Sequence, residues 1–484
     1  MSENHVNSEE QRQQEARAVF AKKTMFGRRK IFTSADSITA GNVDAVVEEA
    51  YIKHLINRGE IEYLWNYYKG KQPSLFRVRE YKDWLTSHIV ENRANEIVSF
   101  KVGYTAGKPI TYVASVSGDG VSDSIGKLND AMRIIGKHTK DKELIEWMMI
   151  CGVGYRYVVQ EKSTVRTVPF NLYTLNPMNT FVIRKNDYSE EVLCGVNYVV
   201  DEDGNVTFTV YTNESVFTFV KGSTKPAREA RNQFGLIPII EYPANNARLG
   251  CFEIVLTMLD AINDFDCARN EAVEQFVQSL LVLYNCQVDD GTTADTIRAA
   301  GMILLKSVGD AKADVKNLAE QLDQSQNQTL KDDMYNSVLQ IVGVPSQSAT
   351  GTSDSSNNGA VVLKNGWQGA ETRATEFEAM FKMPEMEMLQ VVNRICSILR
   401  DGKFAFDPET VEIKFTRRNY EDILSKSQTL VTMLANDKVH PQKAYEASGL
   451  FVDTEEAYQM GMEWFREHGE SNTKPVEPKV VVDE

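Results

Sequence analysis

Residues 252–278 run without a single glycine or proline, and at helical rise such a stretch is about 40 Å long. Its composition is divided by face. Val255, Leu259, Ile262, Phe265, Ala272 and Phe276 fall on one side of a helical projection. Glu253, Asp260, Asp264, Glu271 and Glu274 fall on the other, with no base among them. Asp266 sits on the apolar side, where Arg269 at i+3 is expected to pair with it. Two readings of the acidic face stay open: a solvated surface, or a face that many copies present to a common hole. In the second case a ring of carboxylates repels phosphate, so a duplex inside does not stick.

The flanking pattern predicts a mixed α+β chain, mainly α. Before the rod, helical spacing is expected over 43–68, where Gly59 is a candidate interruption, and over about 84–102, 121–136 and 141–151. Short β-branched and aromatic runs at 155–160, 164–170, 180–184, 192–200, 206–212 and 216–220 predict an antiparallel sheet within 155–242. Asp203-Gly204 is a hairpin turn between two of these runs. After the rod comes a short mixed piece, with strands near 280–283 and 302–306 and a helix near 294–300. A second helix is expected over about 318–342. Residues 345–359 are small and polar, with Asp354 as their single charge, and read as a flexible loop. A helix over about 360–399 should be kinked or broken at Pro384. One strand at 411–416 and helices at 420–435, 441–448 and 454–468 follow. Pro441 suits a first helical position, and Asp453 with Glu456 resembles a capping box. Residues 1–40 read as a flexible arm in which residues 26–30 (Phe-Gly-Arg-Arg-Lys) form a small basic contact, and residues 470–484 as a disordered tail.

Charge and motifs narrow the chemistry. The 484 residues carry 68 acids against 53 bases, a formal charge of -15, which argues against wrapping nucleic acid. No apolar run approaches 18 residues, so no membrane span is expected, and the polar, acidic first residues do not read as a signal peptide. Cys151, Cys194, Cys251, Cys267, Cys286 and Cys396 are isolated from one another and read as buried thiols of a reducing compartment. The segment from Gly103 to Pro109 has three residues between its glycines, and Pro109 follows Lys108 where a phosphate-binding loop needs Ser or Thr, so it is no ATP site. Gly152-Val-Gly154 lacks the third glycine of a dinucleotide fingerprint and reads as a turn. His5, His54, His88, His138, His440 and His468 are scattered, without zinc-ligand spacing. The acid pairs Asp264 and Asp266, or Asp332 and Asp333, are the nearest approach to a magnesium site, and they read as solvated charges. Catalytic residues, metal ligands and cofactors are therefore expected to be none.

Several segments, in order, resemble the portal proteins of tailed bacteriophages, in the branch typical of siphophages of Gram-positive hosts. Tyr-Thr-Ala-Gly-Lys-Pro-Ile-Thr-Tyr at 104–112 is similar to the family's Tyr-x-x-Gly-x-Pro-x-x-Tyr segment. Gly-Val-Gly-Tyr-Arg-Tyr-Val-Val at 152–159 resembles its helix-to-strand junction, and Pro-Ile-Ile-Glu-Tyr at 238–242 precedes the long helix as in the family. Leu-Asp-Ala-Ile-Asn-Asp-Phe at 259–265, followed by 274–283, looks like a stem helix running into a clip. Asn-Asn-Gly-Ala-Val-Val-Leu-Lys at 357–364 looks like the exit of a tunnel loop.

The resemblance implies a ring-forming portal fold. It would comprise an arm (1–40), wing (41–250), stem helix (251–279), clip (280–317), second stem helix (318–344), tunnel loop (345–359), kinked tunnel helix with further wing (360–400), crown (401–469) and tail (470–484). Ser346, Gln347, Ser348, Thr350, Thr352, Ser353, Ser355, Ser356, Asn357 and Asn358 would face the DNA channel from the tunnel loop. Implied partners are further copies in a ring of twelve, double-stranded DNA, the terminase large subunit, the major capsid and scaffolding proteins, and a head-tail adaptor. The place implied is the portal vertex of a virion, reached from the host cytoplasm. The competing class is a viral metal-dependent nuclease or hydrolase built on paired carboxylates.

Overall fold

The computed structural model describes residues 27–77, 86–115, 120–161, 168–223, 227–277, 281–284, 286–287, 306–307, 314–317, 324–345, 366–399, 406–417, 423–436, 438–451 and 454–468. In chain order its elements are β1 (Ile31–Thr33), α1 (Val43–Tyr68), α2 (Arg93–Ala106), β2 (Thr111–Ala114), α3 (Val121–Ile134), α4 (Lys137–Cys151), β3 (Val153–Gln160), β4 (Phe170–Leu175), β5 (Thr180–Lys185), β6 (Val192–Val200), β7 (Val206–Tyr211), β8 (Ser215–Val220), β9 (Arg228–Arg231) and β10 (Ile239–Pro243). These are followed by α5 (Leu256–Val277), β11 (Leu281–Tyr284), β12 (Cys286–Gln287), β13 (Lys306–Ser307), β14 (Asp314–Asn317), α6 (Gln324–Val342), α7 (Trp367–Ile398), β15 (Val411–Lys414), α8 (Ile423–Leu434), α9 (Pro441–Ser448) and α10 (Thr454–His468). The chain divides into two compact units. One comprises Met1–Trp65, Asn95–Ile254 and Val342–Glu484, and the other Asn66–Ala94 and Val255–Ile341.

In the first unit the region expected to form one antiparallel sheet forms two. Six strands lie in the order β1-β5-β6-β7-β8-β9, and a separate three-stranded sheet runs β10-β3-β4. The break is set by β10, which pairs with β3 from Ile239 opposite Tyr157 to Pro243 opposite Val153 instead of extending the larger sheet. β7 alternates buried and half-buried residues along its length, as a strand with one covered face must. α1 covers that face. Val43, Val47 and Tyr51 join Phe181, Ile183, Val196, Tyr198, Phe208 and Phe217 in one buried cluster. Tyr51 meets Tyr198 edge-on at a centroid distance of 5.1 Å. His54 stacks on Phe181 at 4.6 Å, and burial drives its pKa down to about 4, so the ring is neutral in this core. Gly59 does not interrupt α1, because one interior glycine costs a helix of this length only about 1 kcal/mol.

The segment expected to belong to a flexible arm is partly built into this unit. β1 pairs in parallel with β5, with Ile31 opposite Ile183. Arg28, expected in a small basic contact, is buried and donates to the Glu253 carboxylate at 2.6 Å. Arg29 donates to Glu60 at 2.8 Å. The basic run thus finds its acids within the chain, and residues 1–26 lie outside the described ones.

At the centre of the first unit the polar residues are as buried as the apolar ones. Arg156 of β3 donates to Asp141 of α4 at 2.6 Å, and Lys137 donates to the same carboxylate at 2.6 Å. Lys137 also reaches Glu385 of α7 at 2.7 Å. The Glu385 carboxylate accepts two phenol O–H groups, Tyr112 of β2 at 2.6 Å and Tyr242 of β10 at 2.8 Å. α7 runs through Pro384 without a break in its helix, so of the kink or break expected there the break does not occur. Pro384 is itself buried, and Glu385 beside it is anchored from three sides.

Burial alone would raise the Glu385 pKa, but the charges of Lys137 and Arg156 and the hydrogen bonds it accepts bring it down to about 2. A carboxyl whose folded pKa lies below its unfolded value stabilises the fold above pH 4.5 and loses that contribution as pH falls towards 2. Glu385→Gln should cost about 3 kcal/mol or more at pH 7. It should also shrink the loss of stability between pH 4.5 and pH 2, read from urea midpoints across that range.

Candidate functional site

The helix that dominates the sequence lies in the second unit as α5, beginning at Leu256 after a single 3-10 turn at Glu253–Val255. Its buried side is turned away from the face the apolar residues define. Leu256, Leu259 and Ile262 are buried as expected, but so are Asn263, Cys267 and Glu271. The reason is the polar segment 66–94. Asn263 donates to Gln72 at 2.5 Å and accepts from the Glu91 backbone N–H at 2.8 Å. Glu271 accepts from the Ser87 backbone N–H at 3.1 Å, and Arg77 stands 3.9 Å from it. Asn270 donates to the Ser87 hydroxyl at 2.8 Å. Once these polar positions are satisfied from outside the helix, they can be buried at little cost.

The five acids of the expected face are therefore divided. Glu253 belongs to the first unit, where it is buried against Arg28 and accepts from the Gly250 backbone N–H at 2.9 Å. Glu271 is buried as described. Asp260 is half-buried and accepts the Tyr67 hydroxyl proton at 2.9 Å. The side chain of Glu274 lies outside the described residues. Asp264 alone is well exposed, and Arg77 is 3.9 Å away. The helix face itself carries no base, but Arg77 from outside the helix stands 3.9 Å from both Asp264 and Glu271. Among the described side chains of α5, Thr257, Ala261, Asp264 and Ala268 are exposed along one strip, and Val273 is exposed as well.

Asp266 does not take Arg269 as its partner. Lys331 of α6 donates to both of its oxygens, at 2.8 and 2.9 Å, and also to Glu91 at 2.9 Å. Arg269 instead donates to Gln328 of α6 at 2.9 Å. Arg93 lies 4.0 Å over the Tyr335 ring. α5 and α6 are thus cross-linked by charge and by polar hydrogen bonds. The piece between them is a pair of two-stranded ribbons: β11 against β14, with Leu281 opposite Asn317, and β12 against β13, with Cys286 opposite Ser307. A strand near 302–306 is found at Lys306–Ser307, and the helix expected near 294–300 lies outside the described residues. The ten tunnel-loop positions, Ser346 to Asn358, also lie outside them. α7 begins shortly beyond that segment, at Trp367.

No group of three or more His, Cys, Asp or Glu side chains among the described residues is placed to hold a metal ion. No described helix is long and apolar enough to cross a membrane. Five cysteines are unbonded, four of them buried and Cys251 half-buried, and Gly152 caps the end of α4 in the left-handed conformation, as the turn reading requires.

These features meet in known proteins. Residues 50–472 match the family described as phage portal protein, SPP1 Gp6-like, and the chain belongs to that family, whose members are structural proteins of the phage head-tail connector and not enzymes. No curated protein matches the sequence. A solved structure described as the neck of an empty GTA particle, computed with C6 symmetry, is similar at 14% identity and a TM-score of 0.41, covering 74% of this chain and 90% of that one.

Burial raises the Asp260 pKa to about 6, against the Tyr67 hydrogen bond, and the Asp264 charge adds to the rise. A group with a raised folded pKa stabilises the fold at low pH and loses that contribution as pH rises through 6. Asp260→Asn should flatten the stability profile between pH 3.8 and about 6, and a denaturant titration at each pH measures this.

Proposed function

We propose that this chain is the subunit of a portal ring, about twelve copies closing around a channel at one vertex of a tailed-phage capsid. The family match over residues 50–472 carries this reading. The ring would pass double-stranded DNA during packaging and ejection. It would first dock the terminase large subunit and later a head-tail adaptor, while its rim meets the major capsid and scaffolding proteins. The siphophage branch of Gram-positive hosts is the relative the sequence segments support.

Within that reading α5 and α6 serve as the stem, the ribbons β11–β14 and β12–β13 as the clip, α7 as the tunnel helix and α8 to α10 as the crown. The sheet regions of the first unit form the wing. The narrow strip of Thr257, Ala261, Asp264 and Ala268 suits a wall that moving DNA must not adhere to: this strip offers one carboxylate among small, neutral residues. The stretch 345–359, with Asp354 as its single charge, suits a segment that follows a polymer without gripping phosphate.

The nuclease reading is not favoured, because Asp266, one of its candidate acids, is neutralised by Lys331. Purified full-length protein should form annular particles in negative stain and native mass spectrometry, and should hydrolyse no ATP with or without DNA. A stable monomer at micromolar concentration across salt conditions would defeat the proposal. Deleting residues 348–357 should leave rings intact and impair DNA retention in packaging assays. Loss of folding on that deletion would defeat the loop assignment.

A further inference from the structure

We infer that a cavity beside the first turns of α7 receives a carboxylate side chain from a second copy of this chain. The inference deepens the ring reading above and rests on it. The cavity holds about 680 Å³ and lies wholly within the first unit. Phe100, Lys101 and Tyr104 of α2 form one wall, and Cys251, Arg373 and Phe377 contribute to the others.

Arg373 is held at the mouth by the end of α6. Gly343 there has φ +71°, and a Cβ on it would lie 2.4 Å from the Arg373 Cδ. The left-handed turn that ends the helix favours glycine here, and any Cβ would push the Arg373 stem aside.

Two cations share this cavity, and neither has a carboxylate. Among the described residues, the Lys101 and Arg373 side chains form no ion pair and no hydrogen bond. Glu376, the one acid in the lining, is exposed and pairs with neither. Burial pulls the Lys101 ammonium below its ordinary pKa range; Cys251 opposes that shift and the Arg373 charge reinforces it. The fully buried cations of this unit are matched within the chain: Arg156 by Asp141, Lys137 by Asp141 and Glu385, Arg28 by Glu253. Lys101 is half-buried without such a match, and together with the exposed Arg373 it offers a carboxylate from outside the chain two positive partners.

Charge complementarity decides what that partner is. The chain carries 68 acids against 53 bases, so another copy presents carboxylates in excess, whereas a net charge of -15 repels the phosphates of a duplex. The aromatic wall of Phe100 and Phe377 suits the methylene stem of such a side chain, with the two cations at its end.

The experiment compares full-length wild type with Lys101→Met, Arg373→Met and the double variant, scoring ring against monomer by native mass spectrometry over a concentration series. Each monomer is also melted. The double variant should need roughly tenfold or more protein for half-assembly. Its monomer melting temperature should be unchanged or raised, because a desolvated cation has been removed. The exchange Arg373→Lys, which keeps the charge, should restore part of the assembly.

Should the double variant fail to fold, Arg373→Met at the exposed mouth gives the same comparison. Assembly at wild-type concentration would overturn the inference. Rings that persist while the monomer melts lower would also overturn it, since the counter-charge then comes from the same chain. Normal assembly with weakened retention of duplex DNA would overturn it in favour of phosphate. A wild-type protein that forms no rings would instead defeat the ring reading itself, before any variant is compared.

Discussion

The first unit is organised around one carboxylate that water cannot reach. Glu385 accepts from Tyr112, Tyr242 and Lys137, which stand on β2, β10 and α4, and Arg156 of β3 lies 3.5 Å away. Replacing such a set by well-packed apolar residues would often cost nothing. Its effect is therefore not additional net stability but selection of one arrangement. If α7 slid by one turn, or a strand shifted register, a charge would be left buried and unpaired at a cost of several kcal/mol. Hydrophobic contacts tolerate such slips far better. The network thus fixes where α7 lies against β2, β3, β10 and α4.

The second unit applies the same rule with weaker, more exposed parts. Few apolar residues of α6 are buried, and Val338, Leu339 and Val342 are all near its end. Along the rest of its length it is fastened by Lys331 to Asp266 and Glu91, by Gln328 to Arg269 and by Tyr335 under Arg93. Charge-assisted contacts of this kind are directional and fix spacing, but they exclude water poorly. Two helices held this way keep their separation without needing a continuous core along their length.

Local pattern made much of the fold legible. Alternation found β6 at Val192–Val200, and helical spacing with capping residues found α9 and α10 at their observed ends. What escaped depends on distant partners. Nothing near Ile31 says that a three-residue strand will pair in parallel with β5. The acidic face shows the limit most clearly. A helical projection sorts residues by hydrophobicity, so it placed Glu271 outward and said nothing of Asn263. Ser87, Gln72 and Glu91, far away in sequence, supply the hydrogen bonds that let them be buried. Had the polar run 66–94 been read as a source of partners for α5, that rotation could have been foreseen. The cavity with Lys101 and Arg373 carried no sequence signal at all, because two isolated bases on different helices have no spacing to notice.

That rotation changes the physics of the proposed channel. Five carboxylates per copy would make a strongly negative wall; among the four described, only Asp264, beside Arg77, is well exposed, which makes a more weakly negative one. At physiological ionic strength fixed charge is screened beyond about 8 Å. A sparse ring of carboxylates therefore acts on a duplex only when the duplex drifts close to the wall. Thr257, Ala261 and Ala268 offer such a duplex neither a cation to bind nor a large apolar surface to adhere to. On the proposed reading, passage without sticking comes mainly from the absence of attractive groups, and the remaining acid turns aside only the closest approaches. The acids withdrawn from that wall hold the subunit together instead, which is why a chain of net charge -15 can keep its proposed bore so lightly charged.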